Sequence, residues 1–215
     1  MLKTRKIQQV FKSKPTIEGA GVHLHRAFGG PRDARIFDPF LLLDDFRNDH
    51  PENYAAGFPW HPHRGIETIT YVLRGQVEHG DSMGNHGAIS SGDVQWMTAG
   101  SGILHQEMPE GDSDGRMYGF QLWTNLPRAN KMMDPRYQDV KSTQIPVVTL
   151  EDGVKVRVIC GEVSGARGPA ENIVIDPQYL DISVPAKTRF SMPTPPGYTV
   201  FAYVIDGKAT FCGEE

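Results

Sequence analysis

Apolar and polar residues alternate in short bursts along the chain, and turn-forming residues punctuate them at close intervals. A side-chain period of two marks strands, and clusters of glycine, proline and aspartate mark turns. Gln8 to Phe28 reads as short strands, broken by Gly19, Gly21, Gly29, Gly30 and Pro31. Phe37 to Leu43 is an apolar run, read as a buried strand ending at an acidic turn, Asp44-Asp45, before a polar loop from Arg47 to Ala56. Glu67 to Leu73 is rich in β-branched and aromatic residues and reads as a strand. Gly75 turns the chain into a short strand, Gln76 to His79, and a loop follows from Gly80 to Gly87. Val94 to Met97, Ile103 to Met108 and Met117 to Leu126 complete the set, with a small-residue bend at Thr98 to Gly102.

A polar, proline-bearing connector from Pro127 to Thr143 separates this half from a second series of strand-like runs. These are Val154 to Cys160, Tyr179 to Val184, Thr188 to Met192 and Thr199 to Ile205. Short strands at turn-punctuated spacing predict an all-β protein built as sandwiches or barrels. Two domains are expected, residues 1–130 and 131–215. Thr199 to Ile205 is followed by only ten residues, whereas about fifty follow the comparable strand in the first half, so the second barrel is expected to be incomplete.

Composition narrows the function classes. The 215 residues are 39% apolar, with 23 glycines and 16 prolines, and the formal charge is −4. No basic stripe appears, which argues against direct nucleic-acid binding. No apolar stretch is long enough to span a membrane. Met1 to Lys6 has the charge of a leader's first segment, but Gln8 and Gln9 interrupt the apolar run a leader needs. A soluble, cytoplasmic protein is expected, with Cys160 and Cys212 as buried, reduced thiols.

Candidate chemistry lies in the first half. On a strand, residues i and i+2 share a face. His61 and His63 form one such pair, and His105 and Glu107 form another just after the small-residue bend. If the two segments are neighbours or face each other, four ligand atoms converge. Three imidazoles and one carboxylate suit Fe(II), Mn, Co, Ni, Cu or Zn better than Ca or Mg. All eight histidines lie at or before position 105, so one metal per chain, in the first half, is expected. Glu67 shares parity with His61 and His63 and is an alternative acid, but Gly65 interrupts the register, which favours a supporting role. His23-Leu24-His25 has the same spacing without a converging partner and reads as an ordinary surface or core pair, not a metal site. His79 and His86 flank the glycine-rich loop and read as loop or surface residues. Trp96 and Trp123 read as core or pocket wall, Trp60 as narrowing the pocket beside His61, and Arg64 as either an anion-orienting cation or half of a salt bridge.

Long stretches are similar to the pirin family of the cupin superfamily. They are Asp38 to Asp44, Gly57 to Thr68, Gly92 to Pro109, Gln121 to Pro127 and Pro135 to Gln138. The resemblance covers most of residues 15–140 and is looser beyond. It implies a bicupin, two tandem jelly-roll-like β-barrels, with one divalent metal, often Fe(II), in the N-terminal barrel only. By that motif the ligands carry over to His61, His63, His105 and Glu107, whereas the general cupin pattern would use the acid at Glu67. Some pirins cleave flavonols such as quercetin with O₂, which implies a small aromatic substrate, with Glu107 as the general base. Others are metal- or redox-dependent interaction proteins that modulate a transcription factor or enzyme without turnover, which implies a protein partner. Pirins usually continue well past residue 215, which leaves the second barrel open.

Overall fold

The computed structural model describes residues 4–212; Met1 to Lys3, part of the charged start, lie outside them. Its elements in chain order are β1 (Lys14–Glu18), β2 (Val22–Gly29), α1 (Pro31–Phe37), β3 (Phe40–Asp45), β4 (Phe58–His63), β5 (Ile66–Arg74), β6 (Gln76–Asp81), β7 (His86–Ser90), β8 (Val94–Thr98), β9 (Ile103–Glu110), β10 (Tyr118–Asn125) and β11 (Arg136–Val140). The second half adds β12 (Val147–Thr149), β13 (Lys155–Cys160), β14 (Glu162–Val163), β15 (Ala166–Arg167) and β16 (Tyr179–Ser183). The protein is all-β, as expected. A seven-stranded sheet runs β1-β2-β3-β10-β5-β8-β11 and faces a four-stranded sheet, β4-β9-β6-β7, in a jelly-roll-like sandwich whose sheets stay open. The second half contributes a three-stranded sheet, β12-β13-β16, and a small ribbon, β14-β15. Among the described residues, no helix is long and apolar enough to cross a membrane.

Alternation along the large sheet divides its two faces between different tasks. Ile69, Tyr71, Val94, Trp96, Phe120 and Leu122 point outward and pack on Ile159, Cys160, Ala170 and Ile173 of the second half. The tightest apolar core therefore lies between the halves. Polar contacts pin the same junction: Tyr71 donates to Asp181 at 2.8 Å, and Tyr203 donates to Asp45 at 2.8 Å. The opposite face looks into the sandwich, where a cavity is left between the sheets.

Several expectations are corrected. Pro31 opens a short helix, α1, where the sequence suggested only a break; proline suits the first helical position because its missing N–H is unpaired there anyway. Asp44 and Asp45 are not a turn but the end of β3, both buried, where Arg26 and Arg47 compensate their charge. Arg136 to Val140, in the expected connector, adds β11 to the edge of the large sheet. Thr188 to Met192 and Thr199 to Ile205 form no strand. The latter keeps strand-like alternation, with Phe201, Tyr203 and Ile205 turned onto the inter-half core, but side chains rather than a ladder hold it. Cys160 is buried as expected, but Cys212 is exposed. Burial pushes the Cys160 thiol up to about 11. A thiol reagent should therefore modify one cysteine per native chain, Cys212, and the second only after unfolding. Counting released chromophore with and without denaturant checks this; rapid native labelling of Cys160 would contradict the buried junction.

Candidate metal centre

The ladder between β4 and β9 builds the site. His61 pairs with His105 and His63 with Ile103, so His63 stands diagonal to His105, while Glu107 lies on the far side of His105, opposite Phe58 across a bulge. The bound on the cluster is tight: one ring nitrogen from each of His61, His63 and His105 lies within 4.8 Å of the others. Gly57, at the mouth of β4, adopts φ +61°, and a Cβ there would sit 2.8 Å from the Glu107 carbonyl. Only glycine lets the strand approach β9 so closely.

The hydrogen bonds identify which nitrogens are free. His61 Nδ1 lies 2.8 Å from the Pro59 carbonyl, which can only accept, so Nδ1 carries the proton and Nε2 its lone pair. That Nε2 lies 3.1 Å from His63 Nε2. Two imidazole lone pairs at this distance repel unless a proton or a cation lies between them. His105 is 1% exposed, yet neither ring nitrogen has a hydrogen-bond partner among the described residues. Buried polar atoms are normally paired, and an orphan of this kind asks for a ligand. The three imidazoles thus fit a transition metal by their donor chemistry. Burial, then the neighbouring His105 and His61, push His63 down to about 3, and burial lowers His105 as well. Both rings are held neutral, as metal ligands must be.

Glu107 follows His105 on the same face of β9 and is buried. Thr70 donates to its Oε1 at 2.8 Å, and Gln121 Nε2 donates to its Oε2 at 3.0 Å. These two anchors come from the opposing sheet, so Glu107 bridges the sandwich. Thr70 and Gln121 belong to a row of inward polar residues that crosses six strands in register: Arg26, Asp44, Gln121, Thr70, Gln95 and Asp139. Reading single strands does not reveal such a row, because it exists only once the register is known.

Other candidates fall where the pleat puts them. Glu67 is fully buried but accepts from Thr98 and Thr124 at 2.7 and 3.3 Å on the outward face, away from the imidazoles. Gly65, at φ +69°, separates it from the histidine pair. His79 is not a loop residue; it is buried on β6, is the register partner of Glu107, and stacks on Tyr137 with ring centroids 5.9 Å apart. Loop residues begin after β6, and alternation turns His79 inward between Val77 and Asp81. His23, His25 and His86 are exposed. Trp96 is core, and Trp123 stands edge-on to His63 with centroids 5.0 Å apart. Arg64 forms no salt bridge among the described residues; its Nη2 lies 3.2 Å from Met132 Sδ. The cluster opens into a cavity of about 880 Å³ whose walls include Val22, Leu24, Phe46, Phe58, Trp60 and Trp123.

The family model described as Pirin matches residues 21–124. A "Pirin-like protein" of Caulobacter vibrioides is 47% identical over 205 residues, covering 95% of this chain and 74% of that one. A Pseudomonas aeruginosa protein named "Putative quercetin 2,3-dioxygenase" is 44% identical over 218 residues, covering 100% of this chain and 76% of its own length. The crystal structure of quercetin 2,3-dioxygenase from Acinetobacter baumannii is similar with a TM-score of 0.70 and 37% identity, over 79% of this chain and 62% of that one.

The low basicity of His63 has a consequence for stability without metal. Between about pH 6.5 and about 3 the unfolded chain binds a proton that the folded one refuses, so stability should fall as pH is lowered through that window. The expected loss is roughly 2–4 kcal/mol. Denaturant melts of metal-free protein at stepped pH read it, and a His63→Gln variant should flatten the dependence.

Proposed function

This chain belongs to the pirin family, and from that premise we propose that it is a metal-dependent dioxygenase that cleaves flavonols such as quercetin with O₂. The observation that carries the reading is a three-imidazole cluster whose buried member, His105, has no hydrogen-bond partner among the described residues, opening onto an aromatic-walled cavity that also presents Glu107. His61, His63, His105 and Glu107 are proposed to hold one divalent ion, Fe(II) first, since an N/O donor set of this kind suits it. When bound, such an ion supplies Lewis acidity toward the substrate hydroxyl and a place for O₂.

The chain's own residues do the rest. Trp123 and Phe46 present flat apolar surface to the substrate rings and exclude water from the cavity. Glu107 takes the proton of the substrate's 3-hydroxyl as general base. Thr70 and Gln121 hold its carboxylate in place while it does so. The activated ring then adds dioxygen and opens with loss of carbon monoxide. The named activities of the Pseudomonas and Acinetobacter relatives support this substrate class. The site also suits a metal-dependent interaction protein, which would show no turnover and would capture a partner only in one metal state.

Oxygen uptake by metal-loaded protein across a flavonol panel tests the proposal; uptake with carbon monoxide release is expected, and none with any flavonol would end it. Glu107→Gln keeps the size and loses the base. It should lower turnover by roughly 10²–10⁴-fold while reducing metal content far less. An oxygen electrode and elemental analysis of the same sample separate the two effects.

A further inference from the structure

The inward polar row reaches a second built group on the wall of the same cavity. Arg26 donates from Nε and Nη2 to Asp44 Oδ1 and Oδ2 at 2.8 and 2.7 Å, and from Nη1 to Glu18 Oε1 at 2.9 Å. All three side chains line the cavity. The Asp44 side chain is only 7% exposed, and it stands beside Leu42 and Phe46 on the same wall. Asp44 is withdrawn from water while the Arg26 side chain stays 26% exposed, and a pair with one buried partner is a poor source of stability that apolar residues of similar volume could replace. Each Asp44 oxygen takes one N–H and retains acceptor capacity. Asp44 is the register partner of Gln121, one of the two groups that anchor Glu107. Strands lie about 4.8 Å apart, so Asp44 and Arg26 are one and two strands beyond Gln121. That offset, about 5–10 Å, brackets the reach from a flavonol's 3-hydroxyl to the hydroxyls of its pendant ring. The cavity thus presents polar chemistry in two places, with apolar wall around them.

We propose that the Arg26–Asp44 pair is a distal recognition subsite, which reads a hydroxyl on the part of an aromatic substrate farthest from the imidazole cluster. The hydroxyl donates to the Asp44 carboxylate, so the site selects flavonols hydroxylated on the pendant ring. The inference rests on the flavonol reading and deepens it. Its physical basis is asymmetric: a pocket built to bond a hydroxyl penalises the analogue lacking it, because the pocket's own polar groups stay unpaired.

The test is equilibrium binding of quercetin and of galangin, the same flavonol without pendant-ring hydroxyls, to metal-loaded protein under anaerobic conditions, followed by tryptophan quenching. Wild type should bind quercetin at least about tenfold more tightly. An Arg26→Met/Asp44→Leu double variant removes both charges together, so no unpaired one is left buried. It should bring the ratio close to one while galangin affinity is retained, with a thermal melt confirming that it folds. A wild-type ratio near one overturns the subsite and leaves the flavonol reading standing, whether or not the variant folds. A preference that survives in the folded double variant also overturns it. If wild type binds neither compound, the flavonol reading fails and the subsite fails with it.

Discussion

The pairing of His61 opposite His105 is the constraint on which the site depends. Directly opposed residues of an antiparallel pair bring their Cβ atoms to about 5 Å, and alternation keeps His63 and Glu107 on the same face. Three imidazoles then converge with no dedicated loop. A slip of one residue of β4 against β9 would turn His61 and His63 to the face opposite His105 and disperse the cluster. Gly57 opposes such a slip by allowing contact that any side chain would block, and Val77, Ile89 and Ile103 bury the apolar positions of the same small sheet.

A site inside a sandwich competes with the core that would normally fill it. Here the conflict is resolved by moving the core. The driest apolar cluster lies on the outer face of the large sheet, against the second half, so the inner face can carry Arg26, Asp44, Gln121, Thr70 and Gln95. The second half thus serves the centre without touching it: its Ile159 and Ile173 cover the face whose reverse side holds Glu107. A smaller inner cluster, around Val72, Val77 and Met117, packs beside the cavity, and its Val22, Leu24 and Phe46 form part of the cavity wall.

The histidine doublet, the following His105 and Glu107, and the all-β character were legible because each follows from alternation within one strand. What escaped the sequence depends on which strands become neighbours. Thr70 and Gln121 look like ordinary strand residues until β5 and β10 are placed side by side. Asp44 and Asp45 resemble a turn until Arg26 is brought alongside from β2 and Arg47 folds back from the loop after β3. His79 reads as a loop residue for a related reason: it borders a glycine-rich loop, and only the completed β6 shows that it alternates in phase with Val77. Helix α1 was hidden by brevity, since seven residues offer little periodicity and Gly29-Gly30-Pro31 signals a break as strongly as a start.

The two acids near the histidines illustrate how one backbone angle decides a role. By simple counting Glu67 is as good a candidate as Glu107, since 61, 63, 65 and 67 share parity. Gly65 breaks that count with its left-handed conformation, and the chain enters β5 with the opposite phase. Glu67 therefore stands with Ile69 and Tyr71 on the outward face, between its cross-strand partners Thr98 and Thr124, which satisfy it with hydroxyl donors. No such break separates His105 from Glu107, which lie within one uninterrupted strand. Parity is a safe guide only where no residue with positive φ intervenes, and by that criterion the later acid is the one aimed at the cavity.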